Sequence, residues 1–111
     1  MFEKNLQIGY LLDFYGELLS ERKHSVMEMY YNEDLSLAEI ANEIGISRQG
    51  VRDIIKKCED ELFFYEEKLG LFNRFKNIEA CVSELKEMSQ SHELSDEFQS
   101  KIDEILQAVK I

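Results

Sequence analysis

The stretch Ser36-Leu37-Ala38-Glu39-Ile40-Ala41-Asn42-Glu43-Ile44-Gly45-Ile46-Ser47-Arg48-Gln49-Gly50-Val51-Arg52 decides the fold. Ser36 followed three residues later by Glu39 has the form of a capping box. The serine oxygen can accept an amide hydrogen of the first turn, and the carboxylate can reach back to the serine's own amide. Leu37, Ile40, Ala41 and Ile44 then share one side of a short helix. Gly45 can enter the left-handed region that ends a helix cheaply, and Ile46 anchors the turn. Ser47 can cap a second helix, whose Val51, Ile54, Ile55 and Cys58 turn inward by the same spacing. Two capped helices joined by a tight glycine turn are helix-turn-helix grammar.

Upstream, Leu6, Ile8, Leu11, Leu12, Tyr15, Leu18 and Leu19 largely follow a helical period and predict an amphipathic helix over 5–19, modestly weakened by Gly9 and Gly16. Ser20 can cap a second helix to about Tyr31 with Val26, Met27, Tyr30 and Tyr31 inward, and Asn32-Glu33-Asp34 reads as a turn. Downstream, the helix that begins at Arg48 meets no clear stop before Gly70. Its Leu62, Tyr65 and Leu69, with Phe72 beyond, recur at steps of three and four as a seam would. Phe75, Ile78, Val82, Leu85 and Met88 continue the pattern, and Gly70 is read as a break into a separate helix. Gln90-Ser91-His92-Glu93 is a polar connector. Ser95 can cap a last helix burying Phe98, Ile102, Ile105, Leu106 and Val109, so the last two helices are expected to form an antiparallel hairpin.

The fold class that results is all-α: a helix-turn-helix module over residues 1–60, then a C-terminal helical extension over 61–111 that shares the core or forms a dimer interface. With 111 residues, 44% hydrophobic and no proline, the chain can bury a sizeable core and carry unbroken helices. The start Met1-Phe2-Glu3-Lys4-Asn5 lacks the basic and apolar runs of a signal peptide, and no apolar stretch approaches about 20 residues, so a cytoplasmic location is expected. Cys58 and Cys81 lie far apart, without a Cys-x-x-Cys pair, and are expected to be small core residues rather than a disulfide or metal ligands.

The helix after the turn carries the chemistry. Arg48, Arg52 and Lys56 are spaced by four and share a face, with Gln49 beside them and Lys57 near the edge. Arg and Gln can make paired hydrogen bonds to base edges, while Lys and the amides near Ser47 can hold phosphates. Residues 47–57 carry +3 in a chain of net charge -10, leaving the rest at -13. The bland alternative is an ordinary solvated face. The charge distribution favours a nucleic-acid or acidic-partner site at Ser47, Arg48, Gln49, Arg52, Lys56 and Lys57. Gly50 either loosens this helix or permits a close backbone approach.

The runs Ser36-Leu37-Ala38-Glu39-Ile40-Ala41, Gly45-Ile46-Ser47-Arg48-Gln49 and Val51-Arg52 closely resemble the helix-turn-helix in region four of bacterial sigma factors, over roughly residues 20–60. The whole chain, from Asn5-Leu6-Gln7-Ile8 through Leu12-Asp13-Phe14-Tyr15-Gly16 to Gly70-Leu71, is similar to the YlxM family, which pairs such a motif with a helical C-terminal part. That resemblance implies action in the signal recognition particle pathway, through the particle's RNA or its GTPase. The sigma-like motif implies the alternative, a transcriptional regulator reading duplex DNA. A third reading is a protein-binding module that uses the acidic, aromatic helices.

Phe63, Phe64, Tyr65, Phe72 and Phe75 exceed what one seam requires, and some are expected either in the core or against a second subunit of a homodimer. Glu59, Asp60, Glu61, Glu66 and Glu67 read as a solvated helix face or as a device for charge-based selection. His24 and His92 have no partner in a recognisable catalytic motif, and the sequence has no phosphate-cradling loop, dinucleotide fingerprint or metal-ligand cluster. A catalytic role, a cofactor and a metal are therefore not expected.

Overall fold

The computed structural model describes residues 5–110. Residues 1–4, on which the reading of the N-terminus rests, and Ile111 lie outside them. Every regular element described is helical: α1 Leu6–Tyr15, a 3₁₀ turn Gly16–Leu18, α2 Glu21–Tyr31, α3 Leu37–Ile44, α4 Arg48–Leu69, α5 Leu71–Gln90 and α6 Asp96–Val109. The chain clusters into two compact units that meet at Gly70 and Leu71. The division expected after residue 60 falls within α4, which belongs to the first unit throughout its length.

In the first unit α1, α2 and α3 all pack on α4. Leu11, Val26, Met27, Ile40, Val51, Ile55, Cys58 and Leu62 have no exposed surface, so the core lies along the inner face of α4. Full burial of one such aliphatic side chain stabilises by about 1.5–3 kcal/mol over leaving it in water. The caps predicted from sequence are present. Ser20 accepts the Lys23 amide, and Ser36 and Glu39 form the complete capping box. Gly45 (φ 74°) and Gly70 (φ 63°) end α3 and α4 in the left-handed region. The first helix stops short of its predicted end at Leu19, because the chain tightens at Gly16 and must be extended at Leu19 to enter the Ser20 cap. Leu6 and Leu18, placed on the inner stripe by periodicity, are 85% and 55% exposed.

The acidic run of α4 is not simply a solvated face. The Tyr15 hydroxyl donates to Glu66 at 2.6 Å, the Tyr31 hydroxyl donates to Glu59, and Lys23 pairs with Glu61 at 3.1 Å. Three carboxylates thus tie α4 to α1 and α2 along the rim of the core. Burial and the facing Glu59 carboxylate push the Tyr31 phenol well above its ordinary value of 10.0.

The second unit is the expected antiparallel hairpin of α5 and α6, crossed by a Lys86–Asp103 ion pair at 2.9 Å. Ser95 caps α6 through the Phe98 amide. At the end of α5, Ser89 donates to the Lys86 carbonyl and Ser91 to that of Met88. The predicted apolar stripes are only partly buried. Phe72, Val82 and Ile102 are, whereas Phe98 is 50%, Ile105 44% and Leu85 42% exposed, and Ile78 and Met88 also face water. Cys58 is buried as predicted, but Cys81 is exposed. Spacing alone cannot separate a stripe that meets another helix from one that meets solvent.

Candidate nucleic-acid interface

The candidate site is built by the turn between α3 and α4. The amides of Gly45 and Ile46 both donate to the Ala41 carbonyl, which closes the end of α3. Ser47 then receives the Gly50 amide on its hydroxyl oxygen at 3.0 Å and starts α4. That oxygen serves the cap first, so toward a ligand Ser47 offers its hydroxyl hydrogen. A Cβ at residue 50 would lie 3.2 Å from both Ser47 Oγ and Ile46 Cδ1. A larger residue at 50 would require the Ser47 or Ile46 side chain to shift by a few tenths of an ångström, while glycine lowers helix propensity there by about 1 kcal/mol.

Val51, Ile55 and Cys58 lock the inner side of α4 into the core, and the opposite side faces water. Arg48, Gln49, Arg52, Lys56 and Lys57 are all exposed, and the helical register brings them together on that side. They divide between two shallow hollows. One of about 350 Å³ is lined by Arg48, Gln49 and Arg52 from α4 and by Ser36, Leu37 and Ala38 from the start of α3. The other, about 260 Å³, is lined by Asp53, Ile54, Lys56, Lys57 and Asp60. Sequence reasoning did not bring the start of α3 into this face, because no local pattern reports which helix end lies beside Arg48 and Arg52.

The electrostatics are graded across the face. Gln49 Nε2 donates to Asp53 Oδ1 at 2.9 Å, and Lys56 pairs with Asp60 at 3.6 Å. Both pairs span four residues and were available in the sequence as i,i+4 partners. Because a carboxylate only accepts, Asp53 fixes which end of the Gln49 amide turns towards it. The Lys56–Asp60 pair is two-thirds exposed on each side and holds the lysine only weakly. Among the described residues Arg48 and Lys57 make no salt bridge. At the edge of the hollow, hydrogen bonds from the Ser36 backbone and side chain hold the Glu39 carboxyl below its ordinary value of 4.5. The face can therefore hold anionic oxygens beside Arg48 and Arg52 and offer the Gln49 amide and the guanidinium groups to flat hydrogen-bonding edges. No cluster of three metal-ligating side chains occurs among the described residues, and no helix there is long and apolar enough to cross a membrane.

The family model described as "Putative helix-turn-helix protein, YlxM / p13 like" matches residues 2–105. The chain belongs to this family. A UPF0122 protein of Clostridium kluyveri is similar at 53% identity over 77 residues, 69% of each chain. UPF0122 proteins of Bacillus cereus (strain AH187) and Bacillus anthracis (strain A0248) are 42% identical over 106 residues, 95% of this chain and 96% of each relative. Membership in this YlxM / p13-like family agrees with the resemblance to that family drawn from Asn5 through Gly70-Leu71, and the match extends over both units.

Proposed function

We propose that the chain is a binding protein that takes nucleic acid on the exposed face of α4, and that its ligand is the RNA of the signal recognition particle, held alone or together with the particle's GTPase. The carrying observation is the gathering of Arg48, Arg52, Lys56 and Lys57 at the exposed start of one helix in a chain whose net charge is -10. A polyanion repelled by most of the surface is admitted at that face, so binding depends on few contacts and falls as salt rises. The family resemblance supplies the particle; the geometry supports the nucleic acid. Arg48 beside the start of α3 holds phosphate in this reading, while Gln49 and Arg52 meet base edges.

The test is capture of the tagged chain from cytosol with and without ribonuclease, followed by titration of the purified particle RNA, its GTPase and a random duplex. The reading expects ribonuclease-sensitive recovery of particle RNA and a loss of affinity of about 100-fold or more in Arg48→Glu/Arg52→Glu. Recovery of the GTPase alone, unaffected by ribonuclease and by that double substitution, overturns it. One observation favours a second reading: α4 is presented beyond a tight turn, as groove-reading helices are. Sequence-selective binding of duplex DNA in the same titration establishes that reading instead.

A further inference from the structure

The two sides of the α5–α6 hairpin differ. One side carries the Lys86–Asp103 ion pair and a polar hollow lined in part by Glu79, Ser83 and Lys110. The other carries Ile78, Cys81, Leu85 and Met88 along α5, at steps of three, four and three, together with Phe98 and Ile105 of α6, and all six are exposed. Leu85, Phe98, Ile102 and Ile105 join the two rows across an open hollow of about 440 Å³. This is the spacing of a helix seam, and within the hairpin no described residue covers it.

The hairpin cannot close over this face itself. A single layer of two helices has one inner stripe, and here that stripe buries only Phe72, Val82 and Ile102 among the apolar side chains described. Stable helical architectures add a second layer. Charge opposes a copy of this layer less than it opposes a copy of the first unit. The hairpin holds eight acidic and five basic residues, a net of -3, while residues 1–70 hold -7. The polar residues lining the hollow include Glu97 and Lys101, one of each sign a helical turn apart on α6; Lys101 pairs at 2.9 Å with Glu104 of its own helix but stays 72% exposed, so a two-fold axis can bring it against Glu97 of a second copy. The acidic run of α4 would repel its own copy; this face would not.

We infer that the apolar face of the α5–α6 hairpin pairs with the same face of a second copy, closing a four-helix bundle and joining two helix-turn-helix units in one dimer. The dimer does not depend on what the α4 face binds, and either reading can fail alone.

The face holds its own reporter. Cys81 lies on the seam and is exposed in the single chain, whereas Cys58 is buried and burial raises its thiol to about 11, so it stays silent to thiol reagents. Sedimentation equilibrium of the full chain is expected to show a dimer in the micromolar range, and maleimide labelling of Cys81 is expected to slow about tenfold as concentration rises through the dissociation constant. Leu85→Glu and Ile105→Glu, each at an exposed position, are expected to weaken the dimer roughly 100-fold while leaving helical circular dichroism unchanged. A wild-type chain that is monomeric throughout that range overturns the inference, whether Cys81 labels fast or is covered within the chain. So does a dimer that survives both substitutions, since its interface then lies elsewhere.

Discussion

The two units contain comparable helices but solve the burial problem differently. In the first, α4 is wrapped by three other helices, its inner residues lose all exposure, and carboxylates at the edge of the core are claimed by Tyr15, Tyr31 and Lys23. In the second, two helices share one narrow stripe and leave half-exposed phenylalanine, leucine and isoleucine side chains beside it. Helical propensity and capping are satisfied in both. The contrast teaches that caps and periodicity make helices, while the number of neighbours a helix has decides how much of its apolar stripe becomes core.

That contrast can be broken most directly in the cores. Leu62→Ala removes a fully buried side chain from the wrapped helix and is expected to cost about 2–5 kcal/mol in chemical denaturation. Val82→Ala, in the thinner hairpin core, is expected to cost about half as much; equal losses would mean that the hairpin is as tightly closed as the first unit. Tyr15→Phe deletes the donor to Glu66 and is expected to cost about 1.5–3 kcal/mol, as a hydrogen bond to a charged group does. If stability is unchanged, the hydroxyl does not help to fix α4. Amide exchange should sharpen the picture, with residues 71–110 exchanging through smaller openings than α4 when the chain is monomeric. Smallest is the pH effect at the capping box. The folded Glu39 carboxyl lies below its ordinary 4.5, so its contribution is complete above that value and is lost as pH falls through the depressed one. In Glu39→Gln that part of the acid-side slope should disappear, which a series of melts from neutral to acid pH measures.

Much of this architecture was legible locally. Ser36 with Glu39, Gly45, Ser47, Gly70 and Ser95 each announce a helix boundary through chemistry confined to four or five residues, and the structure places those boundaries there. The residues proposed for binding were legible as a face because α4 keeps a regular register from Arg48 onward. Two things were hidden. The partners of Glu59, Glu61 and Glu66 lie from 28 to 51 residues away, so a run of carboxylates looked like solvated surface until α1 and α2 were laid against it. The fate of Cys81, Leu85, Phe98 and Ile105 depended on how many helices cover α5 and α6, and a periodic pattern does not count neighbours.

The order of charges along α4 sets stability against the binding proposed for it. The amino end of a helix carries the positive pole of its peptide dipoles, so acids there stabilise it and bases do not. α4 has no acid in its first turn and opens with Arg48, while Glu66 and Glu67 sit near its negative end. Each reversed charge costs about 0.3–1 kcal/mol. A library of variants enriched only for heat resistance should therefore discard Arg48 early and return proteins that melt higher and, if α4 binds as proposed, hold the proposed nucleic-acid ligand less well.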